Sequence, residues 1–306
     1  MNEFLPFAHQ LADAAGAVIR PYFGAHGAVE EKRDASPVTI ADRAAEQAMR
    51  ALIAARFPTH GIFGEEFGVT KEGSHECVAE GEPRSGGVST EGAKGGKPPS
   101  TKNYTWVLDP IDGTRAFIAG EKEWGTLIAL CENGVPVLGI LDQPVTGERW
   151  VGVRGSSSLY RSAARPHPKN AQEHFSTSRA ISGEGVVTLA TRPCASLAQA
   201  SISSTSKNHF TPPQAAQFVK LAEQCAHVIE DGDCYAYGLL ARGARDVVVD
   251  AGLKPYDILA LVPIVQGAGG FITNWQGGAL TLAQCDMVVA SGDTHCHAAA
   301  LACLDV

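Results

Sequence analysis

Asp109 and Asp112 stand three residues apart in Asp109-Pro110-Ile111-Asp112-Gly113-Thr114, two carboxylates followed at once by a glycine and a hydroxyl. Tyr104-Thr105-Trp106-Val107-Leu108 reads as a short strand that delivers Asp109, and the glycine-containing turn beyond it lets both carboxylates enter one pocket. Hard divalent cations bind oxygen. Magnesium typically uses a few carboxylates together with the phosphate oxygens of its substrate. The plainer alternative for this hexapeptide is a strand-to-turn junction in which Asp caps the turn. Three further acidic positions, taken together, count against it. Glu65 lies in Gly64-Glu65-Glu66 after a strand, Asp42 opens a helix, and Asp257 sits in the first turn of another helix after Lys254-Pro255-Tyr256. Alone, each is an ordinary solvated turn or a helix-terminal charge.

Several elements have to position these groups. Phe4, Phe7, Leu11, Ala14, Ala15, Val18, Ile19 and Tyr22 recur at three- and four-residue steps, which predicts a helix over 4–23 stopped by Gly24. A second helix is predicted over 41–57, with Ala45, Met49, Leu52 and Ile53 on one face, and a polar connection with a short hairpin joins the two. Residues 69–103 hold no Leu, Ile, Met, Phe, Tyr or Trp, and such a composition cannot bury enough surface to offset its ordering entropy. They read as a mobile insertion. Thr126 to Val153 reads as antiparallel strands, and 161–185 as a loop or boundary. Helices are predicted over 213–228, 233–243 and from Pro255 toward Gln266, with strands at 246–249, 271–273 and 287–290 and a last helix from about Asp293. Helix pairs and antiparallel strands followed by alternating strands and helices predict a layered α/β fold.

Composition narrows the class. A net charge of −8 argues against a nucleic-acid footprint, and no apolar run approaches the length of a membrane span. The eight cysteines show no CxxC spacing, so neither a zinc ribbon nor a thioredoxin-type site is indicated. They read as small buried hydrophobes in a reducing compartment, and the N-terminus lacks the pattern of a signal peptide. The expectation is a soluble, cytoplasmic protein.

The acidic run, the upstream Gly64-Glu65-Glu66 and the downstream Tyr256-Asp257 together resemble the inositol monophosphatase superfamily. Gly125-Thr126-Leu127-Ile128-Ala129-Leu130, Leu141-Asp142-Gln143-Pro144, Gly232-Asp233-Cys234-Tyr235-Ala236-Tyr237 and Gly252-Leu253-Lys254-Pro255-Tyr256-Asp257 look closest to its histidinol-phosphate phosphatase branch. The superfamily's inositol phosphatases usually carry Trp before the last Asp, where this chain has Tyr256 after a proline. The resemblance implies an αβαβα sandwich with residues 1–155 as an N-terminal half bearing most metal motifs. Residues 156–306 then form a C-terminal half with the last ligand and the substrate wall. It implies two or three Mg2+ per site: Glu65, Asp109 and the Ile111 carbonyl for one, Asp109, Asp112 and Asp257 for a second, with Glu65 touching a third. Asp42 and Thr114 match positions that orient and deprotonate the attacking water, with Glu65 beside them, and the amides of Gly113 and Thr114 match phosphate-binding positions. Phosphoryl transfer depends on positioning and charge neutralisation, so this set does not require a protein nucleophile.

The implied substrate is a small phosphate monoester, L-histidinol phosphate first, with inositol monophosphate and 3′-phosphonucleotides as alternatives, and the implied assembly is a homodimer. Asp250 matches a position against the substrate's organic part, and Asp233 lies near the same wall. Carboxylates there suit the ammonium and imidazole of histidinol, although they also suit a polyol. Asp233 reads equally well as the N-cap of the following helix. A catalytically degenerate, ligand-binding homologue is disfavoured because every implied metal ligand and Thr114 are present. His295-Cys296-His297 lacks a second ligand pair for a soft metal, and Gly267-Ala268-Gly269-Gly270 ends a helix rather than following a strand.

Overall fold

A computed structural model describes residues 1–24, 29–31, 37–70, 102–162, 185–205, 209–230 and 232–304. The helices are α1 (Phe4–Ile19), α2 (Ile40–Arg56), α3 (Thr114–Ala119), α4 (Pro212–Ala222), α5 (Asp233–Ala241), α6 (Pro255–Ile258), α7 (Leu261–Gly267) and α8 (Thr294–Leu304). The strands are β1 (Val29–Glu31), β2 (Pro37–Thr39), β3 (Gly61–Gly64), β4 (Gly68–Thr70), β5 (Tyr104–Asp112), β6 (Gly125–Glu132), β7 (Val135–Gln143) and β8 (Glu148–Val153). They continue with β9 (Leu159–Arg161), β10 (Val186–Thr188), β11 (Ser201–Ser204), β12 (His227–Glu230), β13 (Val247–Ala251), β14 (Phe271–Thr273) and β15 (Met287–Ser291).

Two sheets organise the chain. One has eight strands in the order β10-β9-β8-β7-β6-β5-β3-β4, and the other has five in the order β12-β11-β13-β15-β14. Alternation along each strand explains why the strands read as unbroken apolar runs: both faces are covered. Trp106, Leu108, Ile128, Leu130, Leu138 and Ile140 point to one face of the large sheet, where Phe7, Leu11, Ala15, Ala45, Met49 and Ile53 of α1 and α2 meet them. Val107, Leu127, Ala129 and Leu141 point to the other face, against α5, α6 and α7. That middle helical layer also packs on Val248, Val288 and Ala290 of the five-stranded sheet. The far face of this sheet, with Val247, Val249 and Val289, is covered by α4 and α8 through Phe218, Leu221, Cys296 and Ala300. The layers run α, β, α, β, α, the sandwich that the resemblance implied.

Three local expectations need correction. The helix expected over 213–228 ends at Ala222, and His227–Glu230 becomes β12, pairing in parallel with β11. The open edge of β11 satisfies backbone groups that a longer helix would have kept for itself. The helix expected from Pro255 to Gln266 is two helices, because Pro263 has no N–H to donate to the Leu259 carbonyl; in α7 it lies in the first turn, where that donor is not needed. Val69 and Thr70, expected within the insertion, form β4 against β3, while 71–101 lie outside the described residues, as do 163–184 of the polar stretch. The large sheet itself runs on past residue 155 through β9 and β10.

Candidate active site

In a regular strand, residues three apart face opposite sides. Asp109 and Asp112 escape that rule because β5 carries one extra residue between them: Asp109 pairs with Leu127 of β6, but Asp112 pairs with Gly125. This bulge bends the strand and re-aims its side chains. Pro110 tolerates the bulge because it has no ladder N–H to lose, and its carbonyl accepts a 2.7 Å hydrogen bond from the Thr126 hydroxyl. Gly113 then turns with φ 89°, a left-handed conformation, and a Cβ there would stand 2.9 Å from Trp124 Cβ and 3.0 Å from an Asp233 carboxylate oxygen. Glycine answers both constraints. The turn starts α3, a short helix with Thr114 as its first residue. The Thr114 hydroxyl donates to the Ile111 carbonyl at 3.1 Å, and that oxygen keeps a second lone pair.

Glu65 arrives from the neighbouring strand. β3 runs parallel to β5, and the Glu65 N–H donates to the Leu108 carbonyl, so Glu65 leaves the sheet beside Asp109. Asp42 comes from the first turn of α2 and is buried. Carboxylate oxygens of Asp42, Glu65 and Asp109 lie within 4.8 Å of one another. Asp109, Asp112 and Asp257 form a second trio by the same measure, so Asp109 belongs to both. Asp257 is delivered by α6, where its carboxylate accepts the Lys254 N–H at 2.7 Å and the Tyr256 ring packs edge-on against Phe63 of β3. Asp112 accepts the Cys234 N–H at 2.7 Å, a donor from the first turn of α5.

The electrostatics follow from burial and like charge. Burial, then the Glu65, Asp112, Asp257 and Asp42 carboxylates, push the Asp109 pKa well above the usual range. Burial, Asp233 and Asp257 do the same to Asp112, against the opposing pull of its bond from Cys234. Burial, with Glu65 and Asp233, raises Asp257 to about 7 despite its bond from Lys254. Asp109 Oδ1 is buried with no hydrogen-bond partner among the described residues. An all-oxygen donor set with a shared carboxylate and an orphaned buried oxygen fits hard divalent cations, which remove both the repulsion and the orphan.

The two residues expected at the substrate wall differ. Asp233 begins α5 with φ 37°, next to Gly113, and adds negative field at Asp112 and Asp257. Asp250 is buried on β13, and its oxygens accept from Thr205 N–H at 2.8 Å, Ser204 Oγ at 3.2 Å and the Tyr237 hydroxyl at 2.8 Å. The Asp250 carboxylate therefore ties β13, β11 and α5 together. Sequence reasoning missed Glu46, which lies under the Glu65 turn. Its signal was the spacing of Asp42, Glu46 and Arg50, which share one face of α2.

A layered α/β fold whose β3, β5, α2 and α6 bring together two acidic trios suits the class of phosphate-handling hydrolases, and comparison with known proteins defines the lineage. The description "Inositol monophosphatase family" matches residues 1–304, and the chain belongs to that family. It is a phosphoric monoester hydrolase acting on small phosphate monoesters. Bifunctional phosphatase IMPL2, chloroplastic, of Arabidopsis thaliana is 37% identical over all of this chain and 76% of its own length. A histidinol-phosphatase of Chlorobaculum parvum is 32% identical, covering 90% of this chain and 88% of its own. The solved structure of an inositol monophosphatase from Zymomonas mobilis superposes with a TM-score of 0.74 at 39% identity, covering 98% of this chain and 96% of that one.

Proposed function

We propose that the protein hydrolyses L-histidinol phosphate to L-histidinol and phosphate with Mg2+. The observation that carries the metal-dependent reading is the pair of acidic trios joined at Asp109. Glu65, Asp109 and the Ile111 carbonyl would hold one cation, Asp109, Asp112 and Asp257 a second, and Glu65 would reach a third. When bound, these cations supply a more acidic water and a stabilised leaving oxygen. The chain's own residues do the rest. Asp42 and the Thr114 hydroxyl would orient the water, the hydroxyl accepting its hydrogen bond and the Asp42 carboxylate taking its proton, and the amides of Gly113 and Thr114 would receive phosphate oxygens at the start of α3. Asp233, at the rim of the same turn, complements a cationic substrate tail, while Asp250 supports that wall by holding α5 through Tyr237. The histidinol-phosphatase relative supports the choice of substrate, and a homodimer, testable by light scattering, belongs to the same reading.

The deciding experiment compares kcat/KM for histidinol phosphate, inositol 1-phosphate and a 3′-phosphonucleotide with Mg2+ in the parent and in Asp233→Asn. Histidinol phosphate should be the best substrate, and the variant should raise its KM about tenfold or more, the size of one charge-assisted hydrogen bond, while the neutral polyol changes little. Preference of the parent for inositol 1-phosphate, or equal losses on both substrates, would refute the assignment.

A further inference from the structure

Glu46 is fully buried on α2, and its carboxylate is ringed by donors from the turn that carries Glu65. The Glu66 N–H donates to Glu46 Oε2 at 2.7 Å and the Phe67 N–H to Oε1 at 3.3 Å. Arg50, one turn further along α2, donates through Nε to Oε1 at 2.6 Å and spends its other nitrogens on the Gly68 carbonyl at 2.5 Å and the Thr70 hydroxyl at 2.8 Å. On the near side of Glu65, Gly64 leaves room for the same carboxylate: a Cβ there would stand 1.9 Å from Glu46 Oε1. One side chain, on the helix that also supplies Asp42, thus holds the two amides that follow Glu65 and fills the space over the Gly64 that precedes it.

We propose that Glu46 is a positioning residue that sets the Glu65 carboxylate in its cation-binding orientation, touching neither substrate nor cation itself. The inference rests on the reading of Glu65 as a ligand. A carboxylate buried against a single arginine is a costly way to attach a turn to a helix, since its desolvation is repaid only by well-aligned partners. Its two oxygens, however, fix two successive amides at once, which an apolar contact cannot do, and a ligand-bearing turn needs that angular control.

The test measures Mg2+ binding by calorimetry, alongside the Mg2+ dependence of the rate, in folded Glu46→Gln, Glu65→Gln and Gly64→Ala and in the Glu46→Gln/Gly64→Ala pair. Glu46→Gln should weaken Mg2+ binding roughly 10- to 100-fold and shift the half-maximal Mg2+ concentration equally, with a far smaller loss of kcat at saturating Mg2+. Gly64→Ala, which must displace the same carboxylate, should reproduce the defect, and the pair should be no worse than the worse single variant. If Glu65→Gln weakens binding but Glu46→Gln and Gly64→Ala do not, or if the two losses multiply in the pair, the positioning role is wrong. If Glu65→Gln itself leaves Mg2+ affinity unchanged, the ligand reading fails first. Should Glu46→Gln not fold, Gly64→Ala alone decides: normal affinity overturns the proposal.

Discussion

The large sheet carries two buried clusters of charge, built on opposite plans. At one, Arg149 of β8 is buried among acceptors from its own chain: Asp142 of β7 at 2.6 Å, Asp13 of α1 at 2.8 Å and the His9 ring nitrogen at 3.1 Å. Burial alone would lower the Arg149 pKa, but the Asp142 and Asp13 carboxylates raise it above its ordinary value. At the other, Asp109, Asp112 and Asp257 face one another, and no arginine or lysine among the described residues forms an ion pair with them. At the first, two carboxylates of the same chain meet the buried cation. The second gathers carboxylates in a low-dielectric place with no cationic side chain paired to them among the described residues, an arrangement that an external cation would balance. Buried charge by itself therefore does not mark a functional site; buried charge left uncompensated does.

Removing a charge should act with opposite sign at the two clusters. Arg149→Met leaves Asp142 buried without its cation and should destabilise the fold by about 3–5 kcal/mol in urea unfolding, with kcat per folded molecule little changed. A loss under about 1 kcal/mol would mean that the Arg149 cluster is not a self-contained ion network. Asp109→Asn should instead raise the unfolding midpoint of the chelated protein, because it removes a repelled buried carboxylate. It should also lower kcat roughly 10²- to 10³-fold, the usual scale for losing one main electrostatic contributor. Near-normal Mg2+-dependent turnover in folded Asp109→Asn would remove Asp109 from the metal site.

Smaller effects should appear in the pH dependence of stability. With metal chelated, Asp257 has its folded pKa raised from 3.8 to about 7, so its contribution is fully present below 3.8 and is lost as pH rises through 7. His9 runs the other way. Burial, followed by Arg149 and Arg161, lowers its pKa from 6.5 to about 3, so its contribution is present above 6.5 and is lost as pH falls toward 3. Asp257→Asn should flatten the decline in Tm between pH 5 and 8, and His9→Gln the decline below pH 6. Mg2+ at a hundred times its Kd should add about 2.7 kcal/mol. At a fixed Mg2+ concentration the gain should be larger at pH 8 than at pH 5, since protons compete for the same oxygens. An equal Mg2+ effect at both values would show that the raised carboxylates are not the ones the cation meets.

Much of the fold was legible because its signals are local. The stripe over Phe4 to Ile19, the turn at Asn133-Gly134 between β6 and β7, and the apolar runs of β5 to β8 each state their structure within a dozen residues. The elements that were missed or overrun depend on distant partners. β12 is a strand because β11 offers it an edge, β4 because β3 does, and β9 and β10 are three-residue strands held by their neighbours. Short strands carry too few residues for a periodic pattern.

The sequence by itself determined the chemistry available to the site: carboxylates at 42, 65, 109, 112 and 257, a hydroxyl at 114 and a glycine where the chain must turn left-handed. Residue type sets what a side chain can donate, accept or hold, and no fold changes that. Only the tertiary structure decided which of those groups share a space. The one-residue bulge in β5 puts Asp109 and Asp112 on the same side, and the parallel pairing of β3 with β5 brings Glu65 beside them. The middle helical layer carries Asp257 in from 145 residues further along the chain, while the network of Thr205, Ser204 and Tyr237 takes up Asp250. Direction and proximity are set by register and packing over the whole chain, and those long-range quantities are not written at any single position.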